Sequence, residues 1–314
     1  MKIAVLGESP AFPINMVDAF SLRHEARLFS GTPSDYRQQY AGTLLDTDAN
    51  RLDARQFIEN ADVLAVSGVS SIRCLAMIAG SEWVQWLKDL QHLRELKFVL
   101  YIVDTPYWFD PNYWDGLLRT SLRPSTLFIC PDMFPLTNIK TAKPLLYPHK
   151  VINGHKADIP SIIFSPGNKR KSETKGTAEI ENTIRRLQGE GLNFTYRRMM
   201  GETYQDTLQA KAEAHIMIDR LPPPGQPDGL GNTGMEGMGA GMAVLSDMYD
   251  QTYTDPYFER PPIIDVKSPD DLYHELKKLI LNPALCAETG KAGQEWIKNT
   301  FAFEPWLDYV ERYL

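Results

Sequence analysis

Short apolar runs bounded by turn residues alternate along the chain with longer segments of helical periodicity. Runs such as Phe98–Val103 have the near-continuous apolar character of strands covered on both faces. The pattern predicts nine strands: Lys2–Leu6, Val63–Ser67, Phe98–Val103, Leu127–Cys130, Ser161–Phe164, Asn193–Arg197, His215–Ile218, Ala243–Leu245 and Ile263–Asp265. Strands that alternate with helices indicate an α/β protein with parallel sheets.

The chain of 314 residues is long enough for two domains of roughly 150 residues each. The segment Lys143–Pro160 is rich in Pro, Gly and Asn and has no helical period, so the domain boundary is expected there. We predict Rossmann-like domains over 1–155 and 156–300. Apolar residues at helical spacing after Glu304–Pro305 predict a terminal helix over 301–314, which crosses back and packs on the N-terminal domain.

Charge adds a regional asymmetry to this picture. The chain carries 33 Lys and Arg against 40 Asp and Glu, a net charge of -7, so no global field favours nucleic acid. Residues 140–198, however, contain 12 basic and 5 acidic residues, whereas residues 199–314 contain 9 and 19. A site for a polyanion is therefore expected in the middle of the chain.

The three cysteines, Cys74, Cys130 and Cys286, are widely spaced, which argues against a disulfide framework and a thiolate zinc site. We expect a reducing, cytoplasmic location. The longest apolar run is too short to span a bilayer, so we expect no transmembrane segment.

Glycine is unusually dense between Asp228 and Asp247. A helix is expected from near Gly234 to Gly241, although each helical glycine costs about 1 kcal/mol relative to alanine. Something must therefore approach the backbone closely. A Gly-rich loop that opens a helix presents free N–H groups to a phosphate, and Glu236, one turn inside, could accept both hydroxyls of a ribose.

The run Asp228-Gly-Leu-Gly-Asn-Thr-Gly-Met-Glu236-Gly-Met-Gly-Ala-Gly-Met-Ala-Val-Leu resembles the Glu-x7-Glu signature of retaining GT-B glycosyltransferases, the group that includes glycogen synthase and sucrose-phosphate synthase. The spacing is kept, with Asp as the first acid. The resemblance implies two Rossmann-like domains that face each other across a cleft. It further implies that Glu236 holds the nucleotide ribose, that Asp228 and the loop residues Gly231, Asn232 and Thr233 hold the donor sugar, and that Gly234 and Met235 lie against the diphosphate.

A second match lies upstream, where Ile163-Phe-Ser-Pro-Gly-Asn-Lys-Arg170-Lys-Ser-Glu-Thr-Lys175-Gly resembles the strand, basic residue and Lys-Gly pair of the same group. By this resemblance Arg170 and Lys175 pair with the donor diphosphate. Lys169 and Lys171 stay open as alternatives to Arg170, because the loop is longer than the family spacing. Fixed cations of this kind stabilise a departing nucleoside diphosphate.

The N-terminal half shares only the architecture. Gly7-Glu8-Ser9-Pro10 stands where the family often has a Gly-Gly loop, and Asp104-Thr105-Pro106 where it often has a histidine. The aromatic run Tyr107–Trp114 could stack on a sugar or an extruded base, or pack a loop against its own domain. His149 and His155 lack the partners of a metal site, so no metal is expected.

The resemblance implies a retaining glycosyltransferase that moves a sugar from a nucleotide donor to a hydroxyl acceptor in a metal-independent reaction. A UDP-sugar is the expected donor, with a GDP-sugar as the alternative. A glycan, a lipid, a small molecule and a hydroxymethylated DNA base stay open as acceptors, so a nucleic-acid partner is left undecided. A nucleotide-sugar epimerase and a non-catalytic nucleotide-sugar-binding subunit are the rival functions.

Overall fold

The computed structural model describes residues 1–7, 12–31, 42–102, 113, 116–129, 141–144, 148–167, 175–221, 231–247 and 260–314. The chain forms two compact units. The first comprises Met1–Pro148 and Phe303–Leu314, and the second comprises His149–Ala302.

The first unit contains a parallel sheet in the order β3-β2-β1-β4-β5-β6-β7. Its strands are β1 (Lys2–Gly7), β2 (Glu25–Ser30), β3 (Thr43–Leu44), β4 (Val63–Ser67), β5 (Lys97–Ile102), β6 (Thr126–Ile129) and β7 (Lys143–Pro144). Its helices are α1 (Phe12–Phe20), α2 (Asp48–Glu59), α3 (Arg73–Ala79) and α4 (Trp83–Leu93), with a π-helical turn at Leu118–Leu122. Every residue of β4 is buried, as expected for a strand covered on both faces.

The C-terminal segment returns to this unit. It forms one α-helix, Phe303–Val310, and then a 3₁₀ turn at Glu311–Tyr313. We number this helix α10 because the helices of the second unit precede it in the chain. Trp306 is fully buried, with its ring centroid 5.1 Å from that of Phe20. Arg23 forms ion pairs with Glu304, Asp308 and Glu311. The contact between Trp306 and Phe20 and the ion pairs of Arg23 thus attach α10 to α1 and the residues that follow it.

The second unit contains a parallel sheet in the order β12-β11-β10-β8-β9. Its strands are β8 (Ser161–Gly167), β9 (Thr195–Met200), β10 (Ile216–Arg220), β11 (Ala243–Ser246) and β12 (Ile264–Asp265). Its helices are α5 (Thr177–Gly189), α6 (Tyr204–Glu213), α7 (Asn232–Gly239), α8 (Pro269–Leu281) and α9 (Pro283–Thr300). A core of Ile, Leu, Phe and Val side chains fills one face of the sheet.

The predicted α/β class with two parallel sheets is confirmed. The predicted strands are present where the structure describes them, whereas β2, β3 and β7 were not predicted. β3 and β7 contain two residues each, too few to give a period, and β2 carries Glu25 and Arg27 among its first residues. Helix α7 begins at Asn232, two residues before the expected start.

Candidate functional site

Side chains from neighbouring strands meet at the carboxyl edge of the second sheet, where open parallel sheets usually bind ligands. The carboxylate of Asp219, fully buried at the end of β10, lies at the centre. It accepts hydrogen bonds from the Lys175 ammonium (3.3 Å), the Gly231 backbone N–H (2.8 Å) and the Ser246 hydroxyl at the end of β11 (3.3 Å). We call Asp219, Lys175, Arg220, Gly231 and Ser246 the Asp219 cluster.

Arg220, the next residue of β10, also reaches this carboxylate, with its Nε 3.3 Å from Oδ2. Consecutive side chains of a regular strand point to opposite faces. The register between β10 and β11 shifts between Ile218 and Arg220, and such an irregularity re-aims side chains. The local break in the ladder therefore allows both residues to join one cluster.

The electrostatics of the cluster favour the charged carboxylate. Burial alone would raise the pKa of the Asp219 carboxyl, but the charges of Lys175 and Arg220, together with the Gly231 N–H, outweigh it. The pKa of Asp219 is therefore held well below its usual range. A carboxylate and two cations are thus present together in a buried site.

Lys175 is positioned by the backbone around it. Its carbonyl accepts a hydrogen bond from the Leu221 N–H (3.0 Å), so the start of α5 is tied to the end of β10. Gly176 has a φ of 73°, and a Cβ there would lie 1.8 Å from the Leu221 carbonyl oxygen. Only glycine fits this position. The Lys-Gly pair thereby places the Lys175 ammonium beside Asp219, with 7% of the residue exposed.

Helix α7 begins at the same edge. Its N-cap, Gly231, donates to Asp219, and the first-turn N–H groups of a helix lack acceptors within the helix itself. Asn232 is exposed and Thr233 partly exposed, whereas Gly234 and Met235 are buried. The structure therefore brings Lys175 and Gly231, the first of the predicted loop residues 231–235, together at Asp219, and residues 232–235 follow as the start of α7. Binding of a nucleotide-sugar donor by Lys175 and residues 231–235 stays a prediction.

Glu236 lies on α7 beside a lysine that the sequence analysis did not select. The ammonium of Lys211 on α6 forms an ion pair with Glu236 Oε2. The side chain of Lys211 is 1% exposed and that of Glu236 is 11% exposed. Because a buried cation is costly unless it is paired, the burial of Lys211 depends on this contact, which also fixes the orientation of the Glu236 side chain.

Two glycines of α7, Gly237 and Gly239, allow close packing within the protein. A Cβ at Gly237 would lie 3.0 Å from the Met217 side chain, and one at Gly239 would lie 2.4 Å from the Lys150 carbonyl oxygen. The Gly239 carbonyl in turn accepts from the Ile152 N–H (2.9 Å). The sequence correctly indicated a close approach to the backbone. At these two positions the approaching groups belong to the protein and not to a ligand.

Two predicted site residues, Asp228 and Arg170, lie outside the described residues, as do Lys169, Lys171 and Asp104. Within the described ranges, the functional candidates that the sequence analysis missed are Asp219, Arg220, Ser246 and Lys211. Asp219 carried a usable signal, an acid directly after the apolar run Ile216–Ile218. Lys211 carried none, because a lysine in the run Gln-Ala-Lys-Ala-Glu is typical of a solvated helix face.

His215 lies at the amino edge of the second sheet, where its Nδ1 atom accepts a hydrogen bond from the Ser161 N–H (3.2 Å) and lies 2.9 Å from the Ser161 hydroxyl. It is therefore a satisfied histidine at the edge of the core. Among the residues that the structure describes, no three His, Cys, Asp or Glu are grouped to hold a metal ion. In the same part of the chain, no helix is long and apolar enough to cross a membrane.

No protein-family model and no curated protein matches the chain. Solved structures do match. An alpha-glucosyltransferase in complex with UDP-glucose and DNA containing an abasic site has a TM-score of 0.65 at 12% identity, over 98% of each chain. HepE from Anabaena, in complex with UDP and glucose, has a TM-score of 0.65 at 10% identity, over 99% of this chain and 98% of that one. Sucrose-phosphate synthase from Thermosynechococcus elongatus has a TM-score of 0.55 at 12% identity, over 99% and 98%.

These similarities extend over nearly the whole length of each protein. Together with the two parallel sheets, they show that the chain has the GT-B fold.

Proposed function

We propose that the chain is a retaining glycosyltransferase that transfers a sugar from a UDP-sugar to a hydroxyl acceptor. The observation that carries this proposal is the meeting of Lys175 and the N-terminus of α7 around Asp219 at the carboxyl edge of the second sheet. This arrangement is suited to a phosphate group. Two of the similar structures hold UDP or UDP-glucose, which supports a uridine nucleotide over a guanosine one.

The departing nucleoside diphosphate gains negative charge as the glycosidic bond breaks. Lys175, the first-turn N–H groups of α7 and, by family resemblance, Arg170 would stabilise that charge without reorganisation. A divalent cation is then unnecessary. The sequence supports this, since no Asp-x-Asp motif occurs between residues 161 and 247.

Glu236 would bind the ribose of the donor. Its Oε2 atom is paired with Lys211, so Oε1 is the oxygen best placed to accept from a ribose hydroxyl. The ion pair with Lys211 holds the carboxylate in one orientation. Charge-assisted hydrogen bonds of this kind are roughly twice as strong as neutral ones.

Asp228, with Gly231, Asn232 and Thr233, would orient the donor sugar. In this role Asp228 is not a covalent nucleophile, so Asp228→Asn should slow transfer without trapping a glycosyl-enzyme. The anomeric configuration of the donor is retained. The acceptor would bind to the first unit, and the DNA in one similar structure keeps a hydroxymethylated base among the candidates beside glycans, lipids and small molecules.

The test is a screen for release of nucleoside diphosphate from a panel of UDP- and GDP-sugars, with and without acceptors, in excess EDTA. Proton NMR of the first product should show the donor's anomeric configuration. An inverted anomer, or activity restored only by magnesium or manganese, would contradict the mechanism. Donor isomerisation without an acceptor would identify an epimerase, and binding without turnover would identify a nucleotide-sugar-binding subunit.

A further inference from the structure

Arg220 lies against the N-terminus of α7. Arg220 is 7% exposed, and a Cβ at Gly231 would lie 2.3 Å from its Nη2 atom. The guanidinium therefore occupies the space beside the N-cap, which a side chain at position 231 would fill.

Arg220 and Lys175 both contact the Asp219 carboxylate, at distances longer than those of most charged hydrogen bonds. Both cations lie 3.3 Å from an Asp219 oxygen. Charge-assisted N–H···O bonds are usually about 2.7–2.9 Å long. Asp219 thus holds the two cations near each other and near α7, in contacts looser than those of a tight ion pair. Within the described residues, the Asp219 cluster contains two cations and one carboxylate, and this excess of positive charge attracts an anion.

We propose that Arg220 is a diphosphate-binding residue, and that it acts with Lys175 and the N-terminus of α7 on the leaving group of the donor. The inference rests on the proposed function and adds a cation from β10 to the one expected from the loop at 169–171. Arginine suits this place because its planar fork can donate to two phosphate oxygens at once and is always charged. Asp219 then serves as the positioning residue for both cations.

The experiment measures the affinity of UDP, UMP and inorganic pyrophosphate by isothermal titration calorimetry at one ionic strength. The proteins are the wild type, Arg220→Gln, Arg220→Lys and the control Arg186→Gln. Arg186 also pairs with a carboxylate in the second unit, Asp270 at 3.4 Å, but its side chain is 54% exposed on α5. Thermal unfolding of each variant reports on its folding.

Arg220→Gln should weaken binding of UDP and pyrophosphate about 10- to 100-fold, since a charge-assisted contact is lost. The loss should be smaller for UMP, and Arg186→Gln should bind all three ligands like the wild type. Arg220→Lys should fall between the two, at least about threefold weaker than the wild type for UDP, because it keeps the charge and loses the fork.

Wild-type protein that does not bind UDP would overturn the proposed function itself. Wild-type protein that binds UDP, with a folded Arg220→Gln variant of equal affinity, would overturn the role of Arg220 and leave the function standing. If Arg220→Gln does not fold, Arg220→Lys decides the question, and an affinity for UDP equal to that of the wild type would overturn the inference.

Discussion

The ammonium of Lys211 on α6 forms an ion pair with the carboxylate of Glu236 on α7, and the two side chains differ in exposure. Lys211 is fully buried, whereas Glu236 keeps about a tenth of its side-chain surface exposed. The pair therefore joins a structural cation to a carboxylate that a ligand can still reach. Its two members should respond differently to substitution.

Glu236→Ala should destabilise the protein more than Lys211→Met. Removing the acid leaves a buried, unpaired cation at a cost of about 3 kcal/mol or more, while removing the lysine leaves a carboxylate with some access to water. Urea unfolding of both single variants and of the double variant measures this. The double variant should be less destabilised than the sum of the singles, and simple additivity would contradict a direct pair.

Glu236→Gln should weaken UDP binding by about 1–3 kcal/mol, because a charge-assisted contact to the ribose becomes a neutral one. Glu213→Gln is the matched control, since Glu213 is exposed on α6 and bonds to Gln209. Calorimetry with UDP gives the difference. Unchanged affinity in a folded Glu236→Gln variant would remove Glu236 from the site.

Lys175→Ala should lower turnover more than it lowers ground-state affinity for the donor. The leaving diphosphate carries more negative charge in the transition state than in the bound donor, so the lost cation matters most there. Separate measurement of kcat and of donor Kd decides the point. Equal losses in both would indicate uniform binding of the donor.

His149 should make the protein sensitive to mild acid. Burial, with the charge of Lys211, lowers the pKa of His149 to about 3. The unfolded chain binds this proton near pH 6.5, so the stability contributed by neutral His149 is complete above that pH and is lost as the pH falls toward 3. Between pH 7 and pH 5 the loss is about 2 kcal/mol.

His149→Asn should remove this part of the pH dependence, as measured by urea unfolding at pH 7 and pH 5. His155→Asn is the control, because His155 is exposed in the same connecting segment. The wild type and His155→Asn should lose the same stability on acidification. An equal loss in His149→Asn would show that other groups cause the acid sensitivity.

Gly239→Ala should destabilise the protein by about 1–3 kcal/mol, although alanine is the better helix former. The added Cβ would lie 2.4 Å from the Lys150 carbonyl oxygen, and backbone must move to admit it. Gly189→Ala, at the end of α5, meets nothing within 4 Å and should be neutral or stabilising. Urea unfolding compares the two, and a stabilised Gly239→Ala variant would contradict the close packing.

Local pattern was sufficient for the architecture, because strands buried on both faces appear as unbroken apolar runs and helices keep their own period. The runs at Val63–Ser67 and Phe98–Ile102 are examples. Short strands such as Thr43–Leu44 were not predicted, since two residues carry no period and their pairing depends on a neighbour distant in sequence.

The candidate site also has a part that the sequence predicted and a part that only the folded structure shows. Gly231–Glu236 and Lys175 could be selected from the sequence because their residue types and spacing form a local motif. Their partners could not. Asp219 and Lys211 meet Lys175 and Glu236 across separations of 44 and 25 residues. Which of many acids and lysines becomes buried beside a given charge is decided by the sheet order and by the cost of leaving a buried charge unpaired, and only the folded chain sets both.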